Sequence, residues 1–241
     1  MTLPRGGTKV LLIVLFVSAV WFRMQSMEDA VYPYYKGESG TNFRQTIHIA
    51  GRGTLPDIDK RAAWPEGISP LKEKANGIEY FIGYTYRLAK PFTDVSQKRF
   101  VNIVTILIFS LSVFILFALT RTLWSCQAAG LWAAALVAFS SPLIGSTNGS
   151  EYYHGTFAFV IISFHLLVAL GAVHRPTLAR SLLAGLSVFL LLAVWEHAGL
   201  YVAAFCLLWT LVPGIGISAR SRLLIALLAA VVLAGLALPY L

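Results

Sequence analysis

The sequence predicts an all-α membrane protein: a polytopic bundle of about seven transmembrane helices with a long, partly helical first external loop. Three observations predict it. Of the 241 residues, 57% are hydrophobic and only 12% charged, against about 25% charged and 45–50% apolar in a soluble domain. The acidic residues are confined to the front, since nine of the eleven precede position 95 and only Glu151 and Glu196 follow. The apolar residues gather in runs close to the ~20 residues that a helix needs to span a bilayer. This pattern excludes a cytosolic globular fold, a disordered tail and a disulfide scaffold. Cys126 and Cys206 both lie inside apolar segments and read as small packing residues. The net charge of +8 does not indicate a nucleic-acid partner. No basic run exists, and Arg residues sit singly or in pairs between apolar stretches.

The first apolar run, residues 9–22, follows Arg5 and begins at Lys9. A signal peptide shares such a basic start and short apolar core. The bulky Trp21, Phe22 and Arg23 leave no small-x-small cleavage pattern before Met24, so the segment reads as an uncleaved helix. Residues 24–98 carry most of the charge and form the first external loop. Six further runs follow, at 100–119, 124–140, 156–173, 181–195, 198–212 and 223–241. Within 156–173, His165 stands alone as a polar residue at mid-helix and reads as a helix–helix hydrogen-bonding group.

Lys and Arg in short loops favour the cytoplasmic side. With the N-terminus cytoplasmic, the inner segments carry Arg5 and Lys9, then Arg121, then Arg175 and Arg180, then Arg220 and Arg222. The short outer loops 141–155 and 196–199 carry no Lys or Arg. The 24–98 segment exceeds the length to which the charge rule applies. The chain is thus expected to be an integral protein of the cell's inner or plasma membrane. Glu38, Glu151, His154, Glu196 and His197 then share the non-cytoplasmic boundary, where a site would meet a lipid-borne substrate.

The external loop has its own local logic. Residues 40–51 show helical spacing, with Phe43, Ile47 and Ala50 on one face and Arg44 and His48 beside them. Gly51 and Gly53 end that helix, and Pro56, Pro65 and Pro70 enforce an extended course. Residues 75–88 read as helical again, with Ile78, Phe81, Ile82 and Tyr86 as a stripe.

Glu38, the Phe43-Arg44 helix, the Gly53-x-x-Pro56-x-x-Asp59 spacing and Trp64-Pro65-Glu66-Gly67 come in that order. Together they resemble the first external loop of the oligosaccharyltransferase catalytic-subunit family, which belongs to the GT-C membrane glycosyltransferases. That resemblance implies a GT-C-like transmembrane domain over residues 1–241, with an outward-facing site. It implies a polyprenyl-phosphate- or -diphosphate-linked sugar donor and a protein, lipid or glycan acceptor. It also implies a divalent metal, Mg²⁺ or Mn²⁺, because a hard cation stabilises the charge that develops on a departing sugar (di)phosphate. Glu38 falls where the family carries an Asp, and Gly149 and Glu151 match its second-loop acidic element. His154 stands where a further carboxylate would be. The implied catalytic residues are Glu38 and Glu151, and the implied metal ligands are Glu38, Glu151 and His154.

Arg44, His48, Glu196 and His197 are the implied substrate-binding residues, the last two within Trp195-Glu196-His197-Ala198-Gly199-Leu200-Tyr201, which resembles a turn between later helices of the same family. The apolar run reaching Leu241 has no polar flank, and the sequence reads as the N-terminal part of a longer chain. Two other classes remain open. An inactive GT-C-like scaffold that binds carrier lipid would keep the architecture without turnover. A transporter or flippase fragment should carry ionisable groups or Gly/Pro breaks at mid-membrane, where only His165 qualifies.

Overall fold

A computed structural model of the chain describes residues 5–25, 27, 37–62, 65–73, 75–148, 151–175 and 177–211. In chain order the helices are α1 (Arg5–Gln25), α2 (Gly37–Arg52), the single turn α3 (Pro70–Glu73), α4 (Gly77–Ala89), α5 (Gln97–Ser110) and α6 (Ser112–Trp124). They continue with α7 (Gln127–Phe139), the short α8 (Ser141–Gly145), α9 (His154–His174), α10 (Leu178–Val194) and α11 (Ala198–Leu211). Among the described residues no strand forms. The extended part of the loop contributes one isolated antiparallel bridge, between Asp59 and Ile68.

Among the described residues, three segments are long and apolar enough to cross a membrane: 20 residues of α1, the 28 residues from Gln97 to Trp124, and the 21 residues of α9. α5 and α6 form one span, because Leu111 between them keeps helical angles and its carbonyl accepts from the Ile115 N–H at 3.3 Å. α7 and α10 are apolar but have only 13 and 17 residues. At the usual helical rise they reach about 20 and 25 Å, short of the ~30 Å hydrocarbon core. Six of the seven expected helices therefore have counterparts, and three have the length of a span. The seventh run, 223–241, lies outside the described residues, as do Arg220 and Arg222.

One boundary moves. The sequence suggests a break after Leu119, whereas α6 runs on through Trp124 and takes Arg121 onto the helix. Nothing in Thr120-Arg121-Thr122-Leu123 stops a helix. The chain reverses instead at Ser125, in the left-handed region at φ 50°. Side-chain caps mark two other starts: Ser96 Oγ accepts from the Arg99 N–H before α5, and Thr177 Oγ1 from the Arg180 N–H before α10.

The bundle packs α1, α5, α6, α7 and α9 around Ala19, Phe109, Val113, Phe117 and Val137. A second cluster, Ile78, Ile82, Val101, Tyr152, Phe157 and Val194, fastens α4 of the loop onto the bundle. His165 Nδ1 lies 2.9 Å from Ser187 Oγ and joins α9 to α10, the helix–helix contact expected of it.

α2 does not bury its apolar stripe. It buries Ser39, Asn42, Gln45, Thr46 and Ile49, and leaves Ile47 44% exposed. The polar face is inward because it satisfies the segment that leads into α9. Asn42 Nδ2 donates to the Tyr152 carbonyl at 2.9 Å, and the Tyr152 N–H donates to Ser39 Oγ at 2.9 Å. The Thr46 hydroxyl lies 3.0 Å from that of Tyr152. A buried backbone amide without such partners would lose the full value of its hydrogen bonds. α2 ends where Gly53 takes φ +85° and returns its N–H to the Ile49 carbonyl at 2.7 Å.

α4 meets α10 at a glycine. A Cβ placed on Gly77 would stand 2.4 Å from the Ala193 carbonyl oxygen, so Gly77→Ala must push the two helices apart. The expected loss is about 1–3 kcal/mol, read as a lower unfolding midpoint in detergent. Gly145→Ala is the control, since nothing lies within 4 Å of a Cβ there.

Candidate metal centre

Three chain reversals bring titratable side chains to one end of the bundle. Glu38 lies in the first turn of α2, directly after Gly37 at φ +55°. There the exposed N–H groups of the helix favour a negative charge. His154 opens α9, and Glu196 sits in the turn between α10 and α11. One ligand atom each from Glu38, His154 and Glu196 all lie within 4.8 Å of one another. This is the one such group of His, Cys, Asp or Glu found among the described residues. The imidazole is buried and the two carboxylates reach it from exposed positions.

A fourth group stands behind the imidazole. His154 Nε2 lies 2.5 Å from Glu79 Oε1, with neither side chain more than 1% exposed. The other ring nitrogen, Nδ1, faces Glu196 Oε2 at 3.5 Å. Burial works to raise the Glu196 carboxyl. Its own backbone N–H, the His154 hydrogen bond and the fields of His154 and His197 outweigh that and leave it below the ordinary carboxylate value. His197 is largely exposed, with Nε2 3.9 Å from Glu196 Oε1 and its ring edge-on to Trp195.

The structure thus brings together Glu38 and His154 of the expected ligand set, with Glu196 beside them. Glu151 is not in that group, and Ser39 Oγ donates to its Oε2 at 3.3 Å. Burial and then the Glu151 charge raise the neighbouring Tyr153 phenol. Arg44 and His48, expected to contact substrate, are engaged within the loop. Arg44 pairs with Asp59 at 2.8 Å, and His48 Nδ1 lies 2.8 Å from the Thr54 carbonyl. Asp59 also accepts from the Arg61 N–H at 3.0 Å, so the acidic end of the Gly-x-x-Pro-x-x-Asp spacing organises the loop. Trp64 and Gly149 lie outside the described residues.

Glu79 escaped the sequence reading, although a signal was present. It lies between Ile78 and Ile82 on the face that α4 buries, and a carboxylate on a buried face needs a partner.

The donor set fits a divalent cation. Two ligands on opposite sides of an ion held at about 2.1 Å stand about 4.2 Å apart, so a spread of 4.8 Å closes with a small inward turn of the two carboxylates. Oxygen ligands suit Mg²⁺ or Mn²⁺, and the imidazole nitrogen favours Mn²⁺.

The helix order, the docked loop and the cluster at the bundle end define an apolar helix bundle of membrane-protein type. Among solved structures the chain is similar to the crystal structure of the oligosaccharyltransferase of Archaeoglobus fulgidus, tethered through a disulfide to an acceptor peptide containing the NVT sequon. The TM-score is 0.73 at 15% identity, over 98% of this chain and 30% of that one. The chain therefore spans about three tenths of the protein it matches. The resemblance read from the external loop is matched by the fold. No protein-family model and no curated protein sequence matches the chain.

Proposed function

We propose that this chain is the membrane domain of a metal-assisted GT-C glycosyltransferase. It moves a sugar or oligosaccharide from a polyprenyl-(di)phosphate carrier to a protein, lipid or glycan acceptor at the non-cytoplasmic face. The observation that carries this reading is the convergence of Glu38, His154 and Glu196 at the end of the bundle. All three groups belong to segments that the basic-residue pattern assigns to the outer boundary, where a carrier lipid would present its head. Glu38 and Glu196 would supply oxygen ligands and His154 a nitrogen. The cation, when bound, offsets the negative charge that develops on the leaving (di)phosphate. His197, exposed beside Glu196, is placed to meet the head group of the donor.

The test uses the full-length protein in proteoliposomes, supplied with labelled lipid-linked sugars extracted from its own host's membranes. Transfer is expected to stop on chelation with EDTA and to return with added Mn²⁺. Undiminished transfer in EDTA would overturn the metal-assisted reading. Tight retention of carrier lipid with no transfer under any condition would give the inactive scaffold instead.

A further inference from the structure

We infer that Glu79 is a positioning residue for the metal centre, holding His154 through Nε2 so that Nδ1 is presented to Glu38 and Glu196. This rests on the metal-centre reading above and assigns a function to a residue of the external loop that the ligand set does not contain.

The contact itself is the first observation. Glu79 Oε1 and His154 Nε2 are 2.5 Å apart, and both side chains are shut away from solvent. A neutral imidazole carries one proton, and a carboxylate at Nε2 holds it there, which leaves the Nδ1 lone pair for ligation. Metal-bound histidines commonly give their second N–H to a carboxylate in this way, and that partner fixes both tautomer and ring orientation.

The geometry on the far side of the ring agrees. The separation of 3.5 Å between Nδ1 and Glu196 Oε2 is long for a charge-assisted hydrogen bond. It is close to the ~3 Å between adjacent ligands on a six-coordinate ion with bonds of about 2.1 Å.

The third observation is what Glu79 lacks. Its other oxygen, Oε2, is buried with no hydrogen-bond partner among the described residues. Leaving a buried carboxylate oxygen unsatisfied is unfavourable, and an apolar residue packed beside Ile78 and Ile82 would hold α4 to the bundle at least as well. As a fastening device Glu79 is a poor choice. As a support for a ligating histidine it is an effective one. Because it comes from α4, the site is assembled only when the external loop is docked.

The test is a Mn²⁺ titration of the full-length protein in detergent, followed by loss of the free-ion electron paramagnetic resonance signal. Glu79→Gln is expected to weaken Mn²⁺ binding by about 10–100-fold, with the unfolding midpoint reported alongside. In a His154→Asn background the same substitution should cost nothing further, because the two residues act as one unit. Unchanged Mn²⁺ affinity in Glu79→Gln overturns the proposal. So does a Glu79→Gln loss that adds in full to the His154→Asn loss, which is the mark of a general structural effect. If the unaltered protein takes up no Mn²⁺, the metal-centre reading itself falls, and this proposal with it.

Should Glu79→Gln fail to fold, the unaltered protein labelled with ¹⁵N-histidine and saturated with Mg²⁺ supplies the answer. A proton on Nε2 and none on Nδ1 of His154, assigned by its loss in His154→Asn, is the expected result. The opposite tautomer overturns the proposal.

Discussion

Glu196→Gln is expected to reduce sugar transfer by about 100-fold or more while leaving the protein folded. The carboxylate stands in the turn between α10 and α11, close to Glu38 and His154, and against burial its own backbone N–H and the nearby His154 and His197 leave it below the ordinary carboxylate value. Replacing one charged oxygen ligand with an amide keeps the volume and removes the charge. Several kcal/mol of transition-state stabilisation by a bound cation depend on that charge. Mn²⁺ affinity should fall together with transfer, and only slightly with temperature midpoint, because Glu196 is partly exposed.

The informative comparison is Glu151→Gln. Both acids follow position 95, both stand at helix ends, and motif position alone favours Glu151. Proximity favours Glu196, which groups with Glu38 and His154, whereas Glu151 accepts from Ser39 Oγ and is not in that group. Glu151→Gln should therefore leave Mn²⁺ affinity within about tenfold, less than the ~10–100-fold cost of removing a group that supports a ligand. If Glu151→Gln abolishes Mn²⁺ uptake and Glu196→Gln does not, the geometry assigned to the cluster is wrong and the motif is right.

That contrast marks where the sequence is legible. The bundle could be read because a bilayer forces apolar residues into runs, and the runs survive any detail of packing. The end of α2 could be read because Gly53 is needed for a left-handed turn. The inward face of α2 could not. Its residues Ser39, Asn42 and Thr46 are polar, and hydrophobic periodicity assigns such residues to solvent. They are buried because Ser39 and Asn42 meet the backbone of Tyr152 and Thr46 meets its hydroxyl, 106 or more positions away in the sequence. The same limit applies to the site. His154 and Glu196 are visible beside the ends of apolar runs, and Glu38 as the acid that precedes the first loop helix. Which of them share an ion depends on how three turns stack, and spacing along the chain does not contain that. Glu79 is hidden by its own helix, where the apolar stripe of Ile78, Phe81, Ile82 and Tyr86 does not include it.

Arg23 gives the second large effect, this time on stability. It is fully buried near the end of α1. Its Nε donates to Thr147 Oγ1 at 2.7 Å, Nη1 to the Ala19 carbonyl at 2.9 Å, and Nη2 to the Val137 carbonyl at 2.9 Å. The guanidinium also lies over the Phe109 ring, 4.8 Å from its centroid. A planar fork can reach a hydroxyl and two carbonyls on different elements at once, whereas an ammonium is a single point. Arg23→Lys is accordingly expected to destabilise by about 2–4 kcal/mol, since it keeps a charge that must be desolvated and loses hydrogen bonds worth about 1.5–3 kcal/mol each. Arg23→Met should cost less than Arg23→Lys, because it removes the buried charge that a lysine would keep without its full set of hydrogen bonds.

That order is opposite to the one a simple need for positive charge would give, and unfolding in mixed micelles at constant pH reads it directly. Both variants should also weaken Mn²⁺ binding. Thr147 passes the tether on, accepting from Arg23 and donating to the Leu143 carbonyl, and the segment it anchors runs directly into His154. If Arg23→Lys proves as stable as the parent and binds Mn²⁺ as tightly, the fork does not hold this end of the bundle. The alignment of α1 with the segment before α9 must then come from the apolar packing of Leu15, Ala19 and Val137 alone.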